Sequence, residues 1–201
     1  MERYFGITSI ADQDIKNCLN AILFIANPDV KLPAHITVSG PFFSRPKKQR
    51  SDELVEGEVV SIIGVGRFLS ESQCTIFLKC GFPSLRQVWN KKDFQINPHL
   101  TLYDGDDREF SSRLYDLAMK SKLFFSYRST KLSYIRSLRG HKSMILTLCL
   151  DYDFISRSIG HPLSEHDIRI ADDALRLTWI AKLFEICSRF GNSPETYRLH
   201  L

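Results

Sequence analysis

Two short segments rich in strand-forming residues, 34–39 (AHITVS) and 98–103 (PHLTLY), carry one shared pattern: His35-Ile36-Thr37 and His99-Leu100-Thr101. A β-strand sends successive side chains to opposite faces, so residues two apart share a face. Each segment therefore sets an imidazole beside a hydroxyl on one surface. If the fold brings the two strands together, two imidazoles and two hydroxyls converge on one pocket. Each half of the chain also holds a helix near its motif, which hints at an internal duplication, although no long repeat is visible.

The remaining pattern fills in an α+β chain with a largely antiparallel sheet. Residues 3–10 (RYFGITSI) read as a strand, and 11–26 as a helix with Ile15, Cys18, Leu19, Ile22 and Leu23 at helical spacing, closed by Asn27-Pro28-Asp29. Gly40-Pro41 is expected to end the pairing of the first motif strand, because proline lacks the amide. A polar connection, 44–57, leads to strands at 57–69 and 73–80, which form a hairpin across Ser70-Glu71-Ser72. A helix at 83–92 precedes the second motif strand, which stops at Asp104-Gly105-Asp106-Asp107. Helix 108–122, with Phe110, Leu114, Leu117 and Ala118 on one stripe, is followed by strands at 123–136 and 142–151.

The C-terminal part differs in texture. Ser164-Glu165-His166-Asp167 resembles a capping box, and Ile168, Ala171, Leu175, Trp179, Leu183, Ile186 and Phe190 form an apolar stripe ended by Gly191-Asn192. The spacing predicts one long amphipathic helix. The chain then divides into a main domain, 1–153, and a helical extension, 154–201, which packs on that domain or serves as a protein-partner or dimer contact around 165–190.

Composition narrows the function classes. A chain of 201 residues, 43% hydrophobic, can bury a proper core. With 27 Lys and Arg against 23 Asp and Glu, a net charge of +4 favours an anionic ligand but falls short of a DNA-coating protein. Cys18, Cys74, Cys80, Cys149 and Cys187 are odd in number and form no CxxC pair, so they read as reduced core thiols. There is no leader-like N-terminus and no run of eighteen apolar residues; the expectation is a cytoplasmic protein with no membrane contact.

The motif pair suits chemistry at phosphorus. One neutral imidazole can take a proton from an attacking water or 2′-hydroxyl while the other, as imidazolium, protonates the leaving oxygen. Threonine hydroxyls can donate to the non-bridging oxygens, where charge develops. No metal or other cofactor is required. The two motifs resemble the paired His-x-Thr signature of the 2H phosphoesterase superfamily, which includes the 2′,5′ RNA ligase-like and cyclic nucleotide phosphodiesterase proteins, and the resemblance covers roughly residues 3–151. It implies a bilobal, duplicated α+β fold around a central cleft and metal-independent chemistry on 2′,3′-cyclic phosphates, 2′-5′ linkages or cyclic oligonucleotides. By the motif match, His35 and His99 are the acid/base pair, and Thr37 and Thr101 hold the phosphate. The ligase-like branch often carries a basic residue soon after the second motif, where this chain has Tyr103-Asp104-Gly105. The resemblance thus leaves the substrate open among a nucleotide, a cyclic oligonucleotide and an RNA end. A non-catalytic sensor or sponge using the same cleft is the alternative.

Four further residues are candidates for substrate contact: Phe42 and Tyr103, which follow the motifs and could stack a base, and Tyr134 and Arg136 on a late strand, the arginine towards phosphate. Arg45, Lys47, Lys48 and Arg50 form a basic loop able to gather a polyanion. Other signals are weaker. His161 and His166 have poor spacing for two ligands on one helix face, Gly64-Val65-Gly66 lacks the context of a nucleotide loop, and Asp104, Asp106 and Asp107 lack the glutamate that closes a calcium loop.

Overall fold

A computed structural model describes residues 2–47, 50–89, 97–138, 141–143 and 148–190. In chain order the elements are β1 (Glu2–Ser9), α1 (Gln13–Ala26), β2 (His35–Phe42), a 3-10 turn (Arg50–Val55), β3 (Val59–Leu69), β4 (Cys74–Gly81), α2 (Leu85–Val88), β5 (His99–Gly105), α3 (Arg108–Lys120), β6 (Ser126–Arg128), β7 (Ser133–Leu138), β8 (His141–Ser143), α4 (Tyr152–Ile159), α5 (Glu165–Ile170) and α6 (Asp173–Phe190). Among the described residues eight strands form a single sheet in the order β6-β3-β4-β5-β2-β1-β7-β8, with every pairing there antiparallel. The fold is therefore α+β, and the two motif strands, β5 and β2, lie side by side at the centre of the sheet.

The apolar faces explain the layering. The central strands present Ile36, Val38, Ile76, Leu78, Leu100 and Leu102 to one core, each fully buried. The last two-thirds of α1, from Cys18 to Ala26, is buried against the same core. A helix buried on nearly all sides needs cover from more than the sheet, and α4 and α6 supply it with Ile155, Ile159, Ile180, Leu183 and Phe184. Arg176 of α6 caps the exit of α1: its Nε donates to the Ile25 carbonyl at 2.8 Å, a terminal nitrogen donates to Ala26, and its guanidinium lies 4.6 Å from the centre of the Phe110 ring. The carbonyls at that end have no partner within α1, so the cation satisfies groups that would otherwise be stranded.

Several expected elements take a different form. The long C-terminal helix is two helices. The capping box at Ser164 and Asp167 starts α5 as expected, but Ala171 is extended (φ −65°, ψ 140°) and the Asp172 carboxylate accepts from the Leu175 N–H at 2.8 Å, which restarts the chain as α6. The break shifts the helical phase, leaving Leu175 exposed and burying Leu177 and Ile180 instead. Strand β2 does not stop at Gly40-Pro41; it pairs through Phe42 with Tyr4, because irregularities in the register carry the chain past the proline. Gly40 (φ +103°) permits this, since a Cβ there would fall 2.6 Å from the Tyr4 carbonyl oxygen. The expected helix at 83–92 is a single turn, and residues 90–96 lie outside the described part. The expected strand at 123–136 is two strands, β6 and β7, on opposite sides of the sheet. Of the expected strand at 142–151, residues 142–143 belong to β8, 144–147 are outside the described part, and 148–150 lead into α4.

Four of the cysteines are buried, as core thiols should be, whereas Cys149 is exposed. The Cys18 and Cys187 sulfurs lie 2.8 Å apart between α1 and α6. Burial, with Cys18 as the second cause, pushes the Cys187 thiol well above its usual range, and burial pushes Cys80 up to about 12. Because the thiolate is the reactive form, a thiol reagent such as dithionitrobenzoate is expected to modify one cysteine per native chain quickly. The other four should react only on unfolding. Loss of the fast phase in Cys149→Ser checks the assignment; a fast phase that persists there would contradict it.

Candidate active site

The motifs meet through one register. Ile36 of β2 lies opposite Leu100 of β5, antiparallel. This places His35 across from Thr101 and His99 across from Thr37, all four on the face away from the buried Ile36 and Leu100. The four side chains, each half-buried, occupy the corners of a four-sided patch. The histidines lie on one diagonal and the threonines on the other, with diagonal separations of about 7–8 Å between strand positions.

Each imidazole is held alike. His35 Nδ1 lies 2.7 Å from the Pro33 carbonyl and His99 Nδ1 2.8 Å from the Asn97 carbonyl, in both cases the residue two positions before. A carbonyl can only accept, so each Nδ1 carries the proton and donates. In the neutral ring Nε2 then bears the lone pair, and this is the nitrogen that gains or loses a proton. Both histidines are thus preset in one tautomer by the backbone entering their own strand.

A second shared feature follows each threonine. The β1–β2 register skips a residue at Val38, between the Ile7–Thr37 and Gly6–Ser39 pairs, and the β4–β5 register skips one at Leu102, between Phe77–Thr101 and Ile76–Tyr103. Bulges of this kind re-aim the residues that follow. They turn Ser39 and Tyr103 away from the histidine face.

That explains where the four expected substrate-contact residues lie, none of them beside the histidines. Tyr103 sits in the core against Phe110, and its hydroxyl accepts from the Asp107 N–H at 3.1 Å; burial pushes its pKa up. Tyr134 and Arg136 pair with Gly6 and Tyr4, the positions of β1 that alternate with Ile7, so they belong to the opposite face from Thr37. Phe42 pairs with Tyr4 and meets Tyr134 edge-on, with ring centres 6.1 Å apart. In the basic loop Arg45 and Lys47 are exposed, Lys48 lies outside the described residues and Arg50 opens the 3-10 turn.

The weaker sequence signals have structural roles. Asp107 caps α3 by accepting from the Phe110 N–H at 2.9 Å, and Asp104 accepts from Thr75 and Gln73. His161 Nδ1 approaches the Pro162 carbonyl while its Nε2 accepts from the Trp179 indole at 3.2 Å. Gly66 makes room for a ring: a Cβ there would fall 2.5 Å from Phe77. Among the described residues no group of three or more His, Cys, Asp or Glu side chains is set to hold a metal ion, and no helix is long and apolar enough to cross a membrane.

Sequence reasoning missed the neighbours contributed by β3 and β4. Phe77 lies opposite Thr101 and Lys79 opposite His99. The Phe77 and Phe68 ring centres are 4.9 and 5.6 Å from the His99 ring, and the two phenylalanines stack at 4.4 Å. The alternation Phe77-x-Lys79 is visible in the sequence, but only the β4–β5 register shows which face it shares. Comparison with known proteins finds no family model that matches the chain and no curated relative.

Proposed function

We propose that this protein is a metal-independent two-histidine phosphodiesterase of the 2H type, acting on a nucleotide or RNA phosphodiester. The observation that carries the reading is the crossed arrangement of His35, His99, Thr37 and Thr101 produced by the Ile36–Leu100 register. In-line displacement at phosphorus needs the entering and leaving oxygens on opposite sides of the phosphorus and the non-bridging oxygens across that axis. The two diagonals supply matching partners: imidazoles for the apical oxygens and hydroxyl donors for the non-bridging ones. The sheet order also supports a duplicated core, since β2-β1-β7-β8 and β5-β4-β3-β6 read outwards from the same seam.

In the forward step, one imidazole removes a proton from water as its oxygen bonds to phosphorus. The phosphorus bond to the leaving ribose oxygen breaks, and the other imidazolium protonates that oxygen. The histidines end with exchanged protonation states, and proton exchange with water resets them. The threonines donate hydrogen bonds to oxygens whose charge rises in the transition state.

The test is product chromatography after incubation with 2′,3′-cyclic, 2′-5′-linked and cyclic oligonucleotide phosphodiesters, with and without EDTA. Turnover of at least one class is expected, undiminished by EDTA. It should fall on both the acid and the alkaline side, because one ring must be neutral while the other is charged. Activity lost to EDTA and restored by a divalent ion would overturn the metal-independent mechanism. Binding without turnover would favour the sensor or sponge.

A further inference from the structure

From the surroundings of His99 we infer that Phe68, backed by Phe77, is a stacking platform for a nucleobase, and that the substrate lies with its base-bearing nucleoside on the His99 side of the phosphate. The inference rests on the phosphodiesterase reading above and names the part of the substrate that reading leaves open.

Phe68 is 47% exposed although one side of its ring stacks on Phe77 and its edge meets His99. Phe77, by contrast, is 3% exposed and forms the fixed base of the stack. It lies over Gly66, where any side chain would collide with it. An aromatic face held rigidly beside an acid/base histidine can add one more planar ring, and stacking of this kind tolerates any base because each has a π-face.

A lysine also borders the stack. Lys79, opposite His99, runs its chain across β3, with its Cε 3.1 Å from where a Gly66 Cβ would lie.

The corresponding positions on β1, beside His35, carry neither feature. Ile7 stands opposite Thr37 where Phe77 stands opposite Thr101, and Ser9 stands opposite His35 where Lys79 stands opposite His99. Ser9 is also turned to its neighbour, donating from Oγ to the Ala34 carbonyl at 2.9 Å. The four central side chains are arranged alike about the seam, and this flanking difference gives the bound phosphate a direction.

The test uses the full chain and Phe68→Ala, with adenosine 2′,3′-cyclic phosphate compared against methyl riboside 2′,3′-cyclic phosphate, which lacks a base. The ratio of the two kcat/KM values is expected to fall by about fivefold or more, from the usual worth of one stacked base. A ratio that changes by less than that, whether both rates fall together or neither falls, would overturn the platform. Calorimetric titration with adenosine 3′-phosphate gives a readout independent of turnover: Kd should rise by about fivefold or more in Phe68→Ala and stay near wild type in Phe68→Trp. Unchanged Kd in Phe68→Ala would likewise overturn the inference. If the wild type turns over neither substrate yet shows the Phe68-dependent Kd, catalysis fails and the platform stands. Turnover with an unchanged ratio is the reverse outcome.

Discussion

His99→Ala and His35→Ala are each expected to reduce turnover by about 10²- to 10⁴-fold, the usual worth of a positioned acid or base. The fold should survive. Both imidazoles are half-buried on the sheet surface, and the residues that lock their strands into the core, Ile36 and Leu100, are untouched. Melting temperature and near-ultraviolet circular dichroism should therefore stay close to wild type. The double variant should lose little more than either single one, because two groups that act in one step fail together. Near-wild-type turnover in both single variants would end the two-histidine mechanism. Multiplicative losses in the double variant would mean that the rings act in separate steps.

The second large effect concerns the C-terminal helices. A chain ending at Asp151 is expected not to fold. It lacks Ile155, Ile159, Ile168, Trp179, Ile180, Leu183 and Phe184, each at most 3% exposed, and it uncovers α1. At about 1.5–3 kcal/mol per buried side chain, the loss is on the order of 10 kcal/mol, comparable with the whole stability of an ordinary domain. A milder variant probes the same contact. Phe184→Ala should cost about 3–5 kcal/mol and lower Tm by roughly 6–20 °C. A truncated chain that unfolds cooperatively, or a Phe184→Ala protein that melts like wild type, would show that α6 is dispensable.

The sequence made the pairing within each His-x-Thr motif legible because its signal is local. Alternation in a strand is enough to put His35 with Thr37 and His99 with Thr101, and strong periodicity located α1 and α3. What it could not show was non-local. The bulges at Val38 and Leu102 reverse the faces of the residues after them, so Tyr103 looks like a flanking stacker in one dimension and is a core residue in three. Tyr134 and Arg136 depend on the β1–β7 register, and Phe68, Phe77 and Lys79 on the β3–β4 and β4–β5 registers, none of which is encoded in spacing. The break between α5 and α6 was missed for another reason. Asp172 can sit inside a helix or start one, and the capping bond to Leu175 decided the matter.

The bulge after each threonine also bears on how such a chain can diversify. Because the skipped residue takes up the mismatch, the segments beyond Val38 and Leu102 can lengthen, shorten or change face without moving the His-x-Thr units. Selection or design can then rewrite what surrounds the four-residue patch, leaving the patch itself intact.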